Sequence, residues 1–216
     1  MIHFLKREWL FLMIVIVPFI IAILVYPYMP DQVPSHWNIN GEIDDYSSRT
    51  FGAFFLPILN IGMYVLFIIL PKLDPKRDNY LKFAGSYRII RYSIHIFFII
   101  LFGLTVLVSL GYPVEMDFWI PVGVAILFMV IGGSMGRVKH NYFVGFKFPW
   151  TLANEAVWNR THQVGSKAMV IGGALALIGV IFTENFAKFM ILMIGIFIPV
   201  IFTSIYCYLL YKRITK

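Results

Sequence analysis

Residues 137–165 of the chain read RVKHNYFVGFKFPWTLANEAVWNRTHQVG, the longest polar interruption in a mostly apolar sequence. This stretch, the motif segment, holds two of the five tryptophans and two of the five histidines. Aromatic and basic side chains alternate in its first half, a mixture that settles at the headgroup region of a bilayer. We therefore predict a loop at a membrane surface, where the aromatic residues either anchor the flanking helices or bind a partner.

The second half of the motif segment carries helix signals. Pro149 disfavours helical conformation in the residue before it, and Thr151 is of a type preferred at helix N-caps. We predict a short helix over 152–162 that Thr151 caps. Glu155 would then lie near the positive end of the helix dipole, where a carboxylate is stabilising.

The composition of the whole chain indicates an integral membrane protein. Of the 216 residues, 60% are hydrophobic and only 13% are charged, and the mean hydropathy is +0.80. So little polar surface excludes a soluble globular protein of this size. Six apolar runs approach the ~20 residues that a helix needs to cross a bilayer. We predict an all-α, polytopic membrane helix bundle that forms a single domain over 1–216, with six transmembrane helices near Trp9–Met29, Phe51–Pro71, Ile89–Leu110, Phe118–Met135, Lys167–Phe182 and Ala187–Tyr211.

Basic residues set the predicted orientation. Sixteen of the 18 Lys and Arg residues fall at the two ends of the chain and in alternate loops, and only Arg49 and Lys188 fall in the others. Because Lys and Arg concentrate on the cytoplasmic side, both termini should be cytoplasmic. The net charge of +7 follows from this topology and from anionic lipid, with no need for nucleic acid. Lys6 and Arg7 precede a first run that is too long for a cleaved signal, so we interpret it as a retained helix.

Residues 30–50 form the largest loop on the opposite, outer side. Asn40 and Gly41 are a strong turn signal between two short stretches, VPSHW and EIDDY, so we predict a small hairpin. His36, Glu42, Asp44 and Asp45 in this loop could bind a divalent ion, but they match no spaced ligand motif and outer acids are usually solvated. We therefore predict no metal site.

Three polar side chains, Asn60, Arg91 and His95, fall within apolar runs or at their start. Ionisable groups inside a membrane are functional candidates, because burying their charge is costly. A plainer interpretation is that His95 is neutral and makes one interhelical hydrogen bond, and that Asn60 links helices in the same way. The same three side chains are the candidates for the water-accessible path that a small transporter or flippase needs.

Glycines mark places where helices can approach closely. Gly132 and Gly136 are four residues apart at the end of the fourth run, while Gly165, Gly172 and Gly179 recur every seven residues along the fifth. If the fourth and fifth helices pack through these glycines, the two ends of the motif segment are held near each other.

Signatures of catalysis are missing from the sequence. It has no HExxH, no GxSxG, no Walker motif and no paired cysteine, and no Asp or Glu lies centrally in a predicted span. We therefore predict that the protein is not an enzyme, has no catalytic residues and uses no cofactor.

The run GSMGRVKHNYFVGFKFPWTLANEAVWNRTHQVG over 133–165 resembles the signature of the SdpI family of bacterial immunity membrane proteins. The stretch MPDQVPSHWNINGEIDDY over 29–46 also resembles the N-terminal half of longer family members. Two departures matter: Ser134 stands where Asn is usual, and Phe146-Lys147-Phe148 replaces Ile-Arg-Thr. Lysine keeps the charge of arginine but lacks its planar fork, which puts a bidentate contact there in doubt. The matched positions are Gly133, Met135, Asn141, Gly145, Pro149, Trp150, Thr151, Leu152, Val157 and Trp158.

The resemblance implies protection and sensing in a bacterial cell (inner) membrane. The best understood type neutralises a secreted, membrane-active toxic peptide and also holds an ArsR-like autorepressor at the membrane when toxin is present. Membrane lipid, such a peptide and such a repressor are the partners expected here, with no direct contact to nucleic acid. On the outer loop, the residues expected to face the toxin are His36, Trp37, Asn38, Gly41 and Asp44. In the motif segment, taken as a cytoplasmic loop between the fourth and fifth helices, those expected to bind the repressor are Asn141, Gly145, Lys147, Pro149, Trp150, Thr151, Glu155 and Trp158.

Overall fold

A computed structural model describes residues 8–215, apart from the side chain of Asn185. Lys6 and Arg7, which contribute to the predicted orientation, lie outside the described residues. In chain order the elements are α1 (Trp9–Val25), a 3-10 turn (Tyr26–Tyr28), β1 (Gln32–Trp37), β2 (Ile43–Ser48), α2 (Arg49–Leu73), α3 (Asn79–Lys82), α4 (Ala84–Ser109), α5 (Met116–Met135), α6 (Pro149–Ala153), α7 (Glu155–Phe182) and α8 (Asn185–Ile214).

Within residues 8–215, six helical segments are long and apolar enough to cross a membrane: α1 together with the 3-10 turn, α2, α4, α5, α7 and α8. This confirms the predicted polytopic helical fold. The prediction was wrong about where the fifth span begins, because α7 starts at Glu155 and continues unbroken through the position of Lys167. Residues 155–165 of the motif segment are therefore the first three turns of a spanning helix.

The predicted cap of that helix was also wrong. The short helix α6 begins with Pro149 at its first position, and Asn154 then takes an extended backbone conformation that ends it. The Asn154 Oδ1 atom accepts from the amides of Ala156 and Val157, at 2.9 and 3.1 Å, and so caps α7. Asparagine is among the strongest N-cap residues, and it lies directly before the helical run, whereas Thr151 lies three residues too early.

The chain divides into two compact units. Unit 1 combines the chain up to Phe67 with Ile94–Ile120, and unit 2 combines Ile68–Ser93 with the chain from Pro121 onward. The helices α2, α4 and α5 each contribute residues to both units.

In unit 1, β1 and β2 pair antiparallel, which confirms the predicted hairpin. Val33 on β1 is fully buried and packs with Met29 and Ala53. Gly52, in the first turn of α2, is so close that a Cβ atom there would lie 2.6 Å from Val33 Cγ1. The hairpin is therefore seated directly on the start of α2.

In unit 2, α7 is held between α5 and α8 by small residues on its two sides. A Cβ atom at Gly132 would lie 2.6 Å from the Cβ atom of Met169, so α5 and α7 approach closely at this predicted point. The stripe that includes Gly172 faces α8 instead, since a Cβ atom there would strike the Gly195 carbonyl. Its neighbour Gly173 turns the other way, toward α5. The predicted glycine stripe on α7 therefore packs against α8, and not against α5 as expected.

Candidate functional site in the motif segment

The first half of the motif segment is folded around Asn141, whose side chain is fully buried. Its Oδ1 atom accepts from the amides of Phe143 and Val144, at 2.9 and 2.7 Å. Its Nδ2 group donates to the carbonyls of Lys139 and Val144, both at 2.8 Å. Asn141 is thus the internal support of the loop and offers no surface to the partner that it was predicted to contact.

A buried carboxylate ties this loop to the connection between α2 and α4. Asp74 is 2% exposed, and its Oδ2 atom accepts from the amide of Tyr142 at 2.9 Å. The hydroxyl of Tyr80 lies 3.1 Å from the same oxygen and 3.3 Å from Asn141 Oδ1. Burial and the Asp74 charge raise the pKa of Tyr80, so its hydroxyl stays protonated and can donate.

Lys76 extends this connection to His140 of the same loop. Its ammonium lies 2.9 Å from Nδ1 of His140, and Asn79 donates to the His140 carbonyl at 2.8 Å. An ammonium group can only donate, so Nδ1 accepts and the neutral imidazole carries its proton on Nε2. Burial and the Lys76 charge lower the pKa of His140, in agreement with that assignment. No local signal in the sequence indicates this contact, because the two residues lie 64 positions apart.

Trp158 lies at the centre of the site and is fully buried. Its indole N–H donates to the carbonyl of Val138 at 2.9 Å. One face of the indole stacks on His162, with ring centroids 4.0 Å apart, and His140 lies 4.9 Å away. The tryptophan therefore fastens the start of α7 to the loop, instead of projecting toward a partner as predicted.

His162 has both ring nitrogens engaged, which fixes its tautomer. Nδ1 lies 2.9 Å from the carbonyl of Trp158, and Nε2 accepts from the amide of Phe146 at 2.9 Å. A carbonyl can only accept and an amide can only donate, so the ring is neutral with its proton on Nδ1. His162 was absent from the predicted residues, although its spacing four residues after Trp158 on one helix is a signal for contact.

Gly145 is required by the same packing. Its φ angle of +128° is one that L side chains rarely adopt. A Cβ atom at this position would also collide with His162 Nε2 and lie 3.1 Å from the Trp158 ring. Glycine is therefore needed at this position for its backbone conformation and for the space that His162 and Trp158 occupy.

The surface of the motif segment is smaller than predicted. Lys147, Pro149 and Glu155 are exposed. Trp150 is half-buried, with its ring 5.0 Å from that of a tyrosine on α8. Thr151 is fully buried, and its hydroxyl lies 2.6 and 2.8 Å from the carbonyls of Phe146 and Phe148, to which its single hydrogen can donate. Of the eight predicted partner-binding residues, these three exposed side chains and one face of Trp150 remain available to a partner.

The hairpin turn in unit 1 is shaped by Asn38. Its Oδ1 atom accepts from the amides of Asn40 and Glu42, at 2.9 and 3.0 Å, and its Nδ2 group donates to the Glu42 carboxylate at 2.8 Å. Gly41 completes the turn with a φ angle of +81°. Two of the five residues predicted to face a toxin therefore have a structural role in the turn.

The remaining hairpin residues are more accessible. His36 Nδ1 lies 2.6 Å from Asp44 Oδ1, and both side chains are exposed. Trp37 is half-buried at the end of β1. The structure thus brings all five predicted residues together on one small hairpin.

The polar residues within the apolar runs are packed out of contact with water. In unit 1, Asn60 Oδ1 lies 2.6 Å from His95 Nδ1, the interhelical hydrogen bond of the plainer interpretation. The ring of Phe11 lies 5.2 Å from that of His95. In unit 2, the guanidinium of Arg91 lies 5.7 Å from the ring centroid of Tyr87. Because all three predicted residues are at most 1% exposed, they line no open path.

Comparison with known proteins finds two matching profiles and one similar immunity protein. Residues 13–61 match a profile described as "Domain of unknown function (DUF1648)". No solved structure matches the chain. It is 27% identical over 209 residues to "Immunity protein SdpI" of Bacillus subtilis (strain 168), covering 97% of this chain and 98% of that protein. The similarity supports an immunity function for a multi-pass membrane protein. Residues 137–207, which comprise nearly all of the loop between α5 and α6 and then α6, α7 and most of α8, match the profile "SdpI/YfhL protein family", in agreement with the resemblance seen in the sequence.

Proposed function

We propose that the chain protects its host bacterium against a secreted, membrane-active toxic peptide, acting from within the inner membrane. The observation that carries this proposal is the extent of the similarity to an immunity protein, 97% of one chain and 98% of the other. Both the hairpin and the motif segment lie within the matched length. The similarity therefore covers the two segments in which the sequence predicts binding residues.

The distribution of charge supports a definite orientation. Lys76 and Lys147 lie with the motif segment in unit 2, whereas the hairpin carries Glu42, Asp44 and Asp45. Basic residues favour the cytoplasmic face of a membrane. In the proposed orientation the hairpin meets the toxin outside the cell, and the motif segment reports inward.

The reporting partner would be a cytoplasmic ArsR-like repressor, which binds the exposed part of the motif segment. Lys147 and Glu155 provide opposite charges there, and Trp150 provides an aromatic surface. The buried Asn141 and Trp158 hold this surface in shape, and α7 connects it directly to the membrane. A toxin that changes the packing of α7 can therefore change the presentation of this surface.

Transport has less support from the same structure. Asn60 Oδ1 lies 2.6 Å from His95 Nδ1, and the two side chains are 1% and 0% exposed. A transport path would expose such groups to water. We interpret them as a packing contact between helices.

The test is survival of a toxin-sensitive bacterium that expresses the chain, challenged with a membrane-active killing peptide from sibling cells. We expect protection relative to cells that carry an empty vector. A Lys147→Ala/Glu155→Ala variant changes only exposed charges, so it should keep immunity and lose capture of the repressor in a membrane pull-down. If the native chain reaches the membrane and does not protect, the immunity proposal fails for that peptide.

A further inference from the structure

A cavity of about 170 Å³ lies between the hairpin, the start of α2 and the end of α4, all within unit 1. Trp37, Phe51, Phe55 and Leu101 form its apolar walls, and Ser47 and Thr105 contribute hydroxyl groups. An apolar cavity of roughly 150 Å³ is large enough to take up benzene. This cavity, the hairpin pocket, therefore matches one bulky apolar side chain in size.

The hairpin pocket is preformed. Gly52 lies on its wall, where Val33 packs so tightly that no side chain fits between β1 and α2. Arg49 ties the same junction by an ion pair with Asp31, with N and O atoms 2.5 Å apart. A pocket held in this way needs little ordering when a ligand enters, and this reduces the cost of binding.

One wall of the pocket carries an unsatisfied hydroxyl group. The Ser47 Oγ atom is buried and has no hydrogen-bond partner among residues 8–215. Thr105, by contrast, already donates to the carbonyl of Leu101 at 3.0 Å. A buried hydroxyl without a partner costs free energy, and a ligand that supplies an acceptor recovers it. A peptide backbone has such carbonyls at every residue, whereas the methylene part of a lipid chain has none.

The surroundings of the pocket are strongly acidic. Arg49 is the only Lys or Arg in the described part of unit 1, and it is already paired with Asp31. Asp117 joins the hairpin turn, because a Cβ atom at Gly41 would lie 2.8 Å from its own Cβ. Clustered carboxylates attract and orient a cationic partner. The carboxylates at this end of unit 1 are Asp31, Glu42, Asp44, Asp45, Glu115 and Asp117.

We propose that the hairpin pocket binds a bulky apolar side chain of an extracytoplasmic cationic peptide, whose basic residues lie against the hairpin carboxylates. The inference rests on the proposed immunity function and names the surface that recognises the toxin. Apolar burial supplies most of the affinity, while the carboxylates raise the association rate and select for positive charge.

The binding test uses the full chain in phosphatidylcholine nanodiscs and a fluorescently labelled synthetic peptide of about 20 residues, built from Leu and Lys with one Phe. Empty nanodiscs provide the background. We expect Thr105→Phe, which fills the pocket, to weaken binding at least tenfold, about 1.4 kcal/mol. If Thr105→Phe does not fold, Ser35→Trp is used in its place. Ser35 is an exposed lining residue on β1, so a tryptophan there should obstruct the hairpin pocket from its edge. Leu81→Ala, at an exposed position in unit 2, is the control and should change the affinity less than twofold.

Charge is tested separately. An Asp44→Asn/Asp45→Asn variant should weaken binding several-fold at low salt and by little at high salt, because salt screens exposed charges. A peptide with Gln in place of Lys should bind the native chain more weakly by a similar factor. Equal binding of both peptides, or full binding to the filled pocket, would overturn the inference and leave simple partition into lipid as the explanation.

The survival assay separates this inference from the function on which it rests. If the native chain protects and the folded Thr105→Phe chain protects equally well, the pocket is not the recognition site and immunity stands. If the native chain does not protect against a peptide, the proposed immunity to that peptide is wrong. The binding measurements then test the hairpin pocket independently.

Discussion

Asn38 in the hairpin and Asn141 in the motif segment make a similar pair of hydrogen bonds to backbone amides, but they differ in burial. Each accepts two backbone amides on Oδ1 and so folds a short loop around itself. Asn141 is fully buried, whereas Asn38 is only half-buried. Water can replace the contacts of a half-exposed side chain, but a buried amide left without partners bears the full cost of desolvation. We therefore expect the motif segment to depend on its asparagine more strongly than the hairpin turn does.

The largest effect should come from Trp158→Ala in the motif segment. The variant empties a fully buried site and leaves the Val138 carbonyl without its donor, so the free energy of unfolding should fall by about 3–5 kcal/mol. Denaturant unfolding in mixed micelles measures the loss. Trp37→Ala on the hairpin is the counterpart, and its half-buried ring predicts about half that loss or less. Equal losses would remove the contrast between the two regions.

The two asparagines give the most direct comparison. We expect Asn141→Ala to lower the free energy of unfolding by about 2–4 kcal/mol, because several buried groups lose their partners at once. Asn38→Ala should cost no more than about 1 kcal/mol, since water takes over its contacts. Thermal unfolding of both variants under the same detergent conditions measures the difference. A hairpin variant as unstable as the loop variant would show that the turn is not tolerant.

A smaller effect should appear as pH dependence. Burial and Lys76 lower the pKa of His140 in the folded protein, so the unfolded chain takes up its proton first as the pH falls. Stability from this group is present above about pH 6.5, the ordinary histidine pKa, and declines below it. Unfolding measured at pH 7.5 and 5.5 should show this loss for the native chain.

His140→Gln provides the control for that experiment. Glutamine does not titrate, so the difference in stability between the two pH values should shrink. An unchanged difference would assign the pH dependence to other groups.

The smallest effect should come from the exposed pair on the hairpin. His36 and Asp44 lie 2.6 Å apart, but exposed pairs of this kind contribute no more than about 1 kcal/mol. Asp44→Asn should therefore change the free energy of unfolding by less than that. A larger loss would mean that the pair supports the turn as strongly as the buried network supports the motif segment.

The spans and the hairpin could be predicted because their signals are local. A run of apolar residues long enough to cross a bilayer leaves few alternatives to a helix, and Asn40-Gly41 favours a tight turn. The bond between Asn60 and His95 also follows from chemistry, since polar groups inside a membrane need partners.

The network of the motif segment could not be predicted in the same way. The contact between Asp74 and the Tyr142 amide joins residues 68 positions apart, and nothing local in the sequence indicates it. The family spacing names Asn141, Thr151 and Trp158 but does not say which way they point. Buried and exposed residues of one motif look alike in sequence, and only the folded loop separates them.

The continuity of α7 has a mechanical consequence. At 1.5 Å of rise per residue, its 28 residues span about 42 Å as one rod. Gly172, near its middle, lies against the Gly195 carbonyl of α8 and is a natural pivot. A tilt of about 5° around this point displaces Trp158, about 21 Å away, by about 2 Å. That is more than the hydrogen bond to Val138 can stretch, so α7 is a lever that converts a slight tilt inside the membrane into a made or broken contact at its far end.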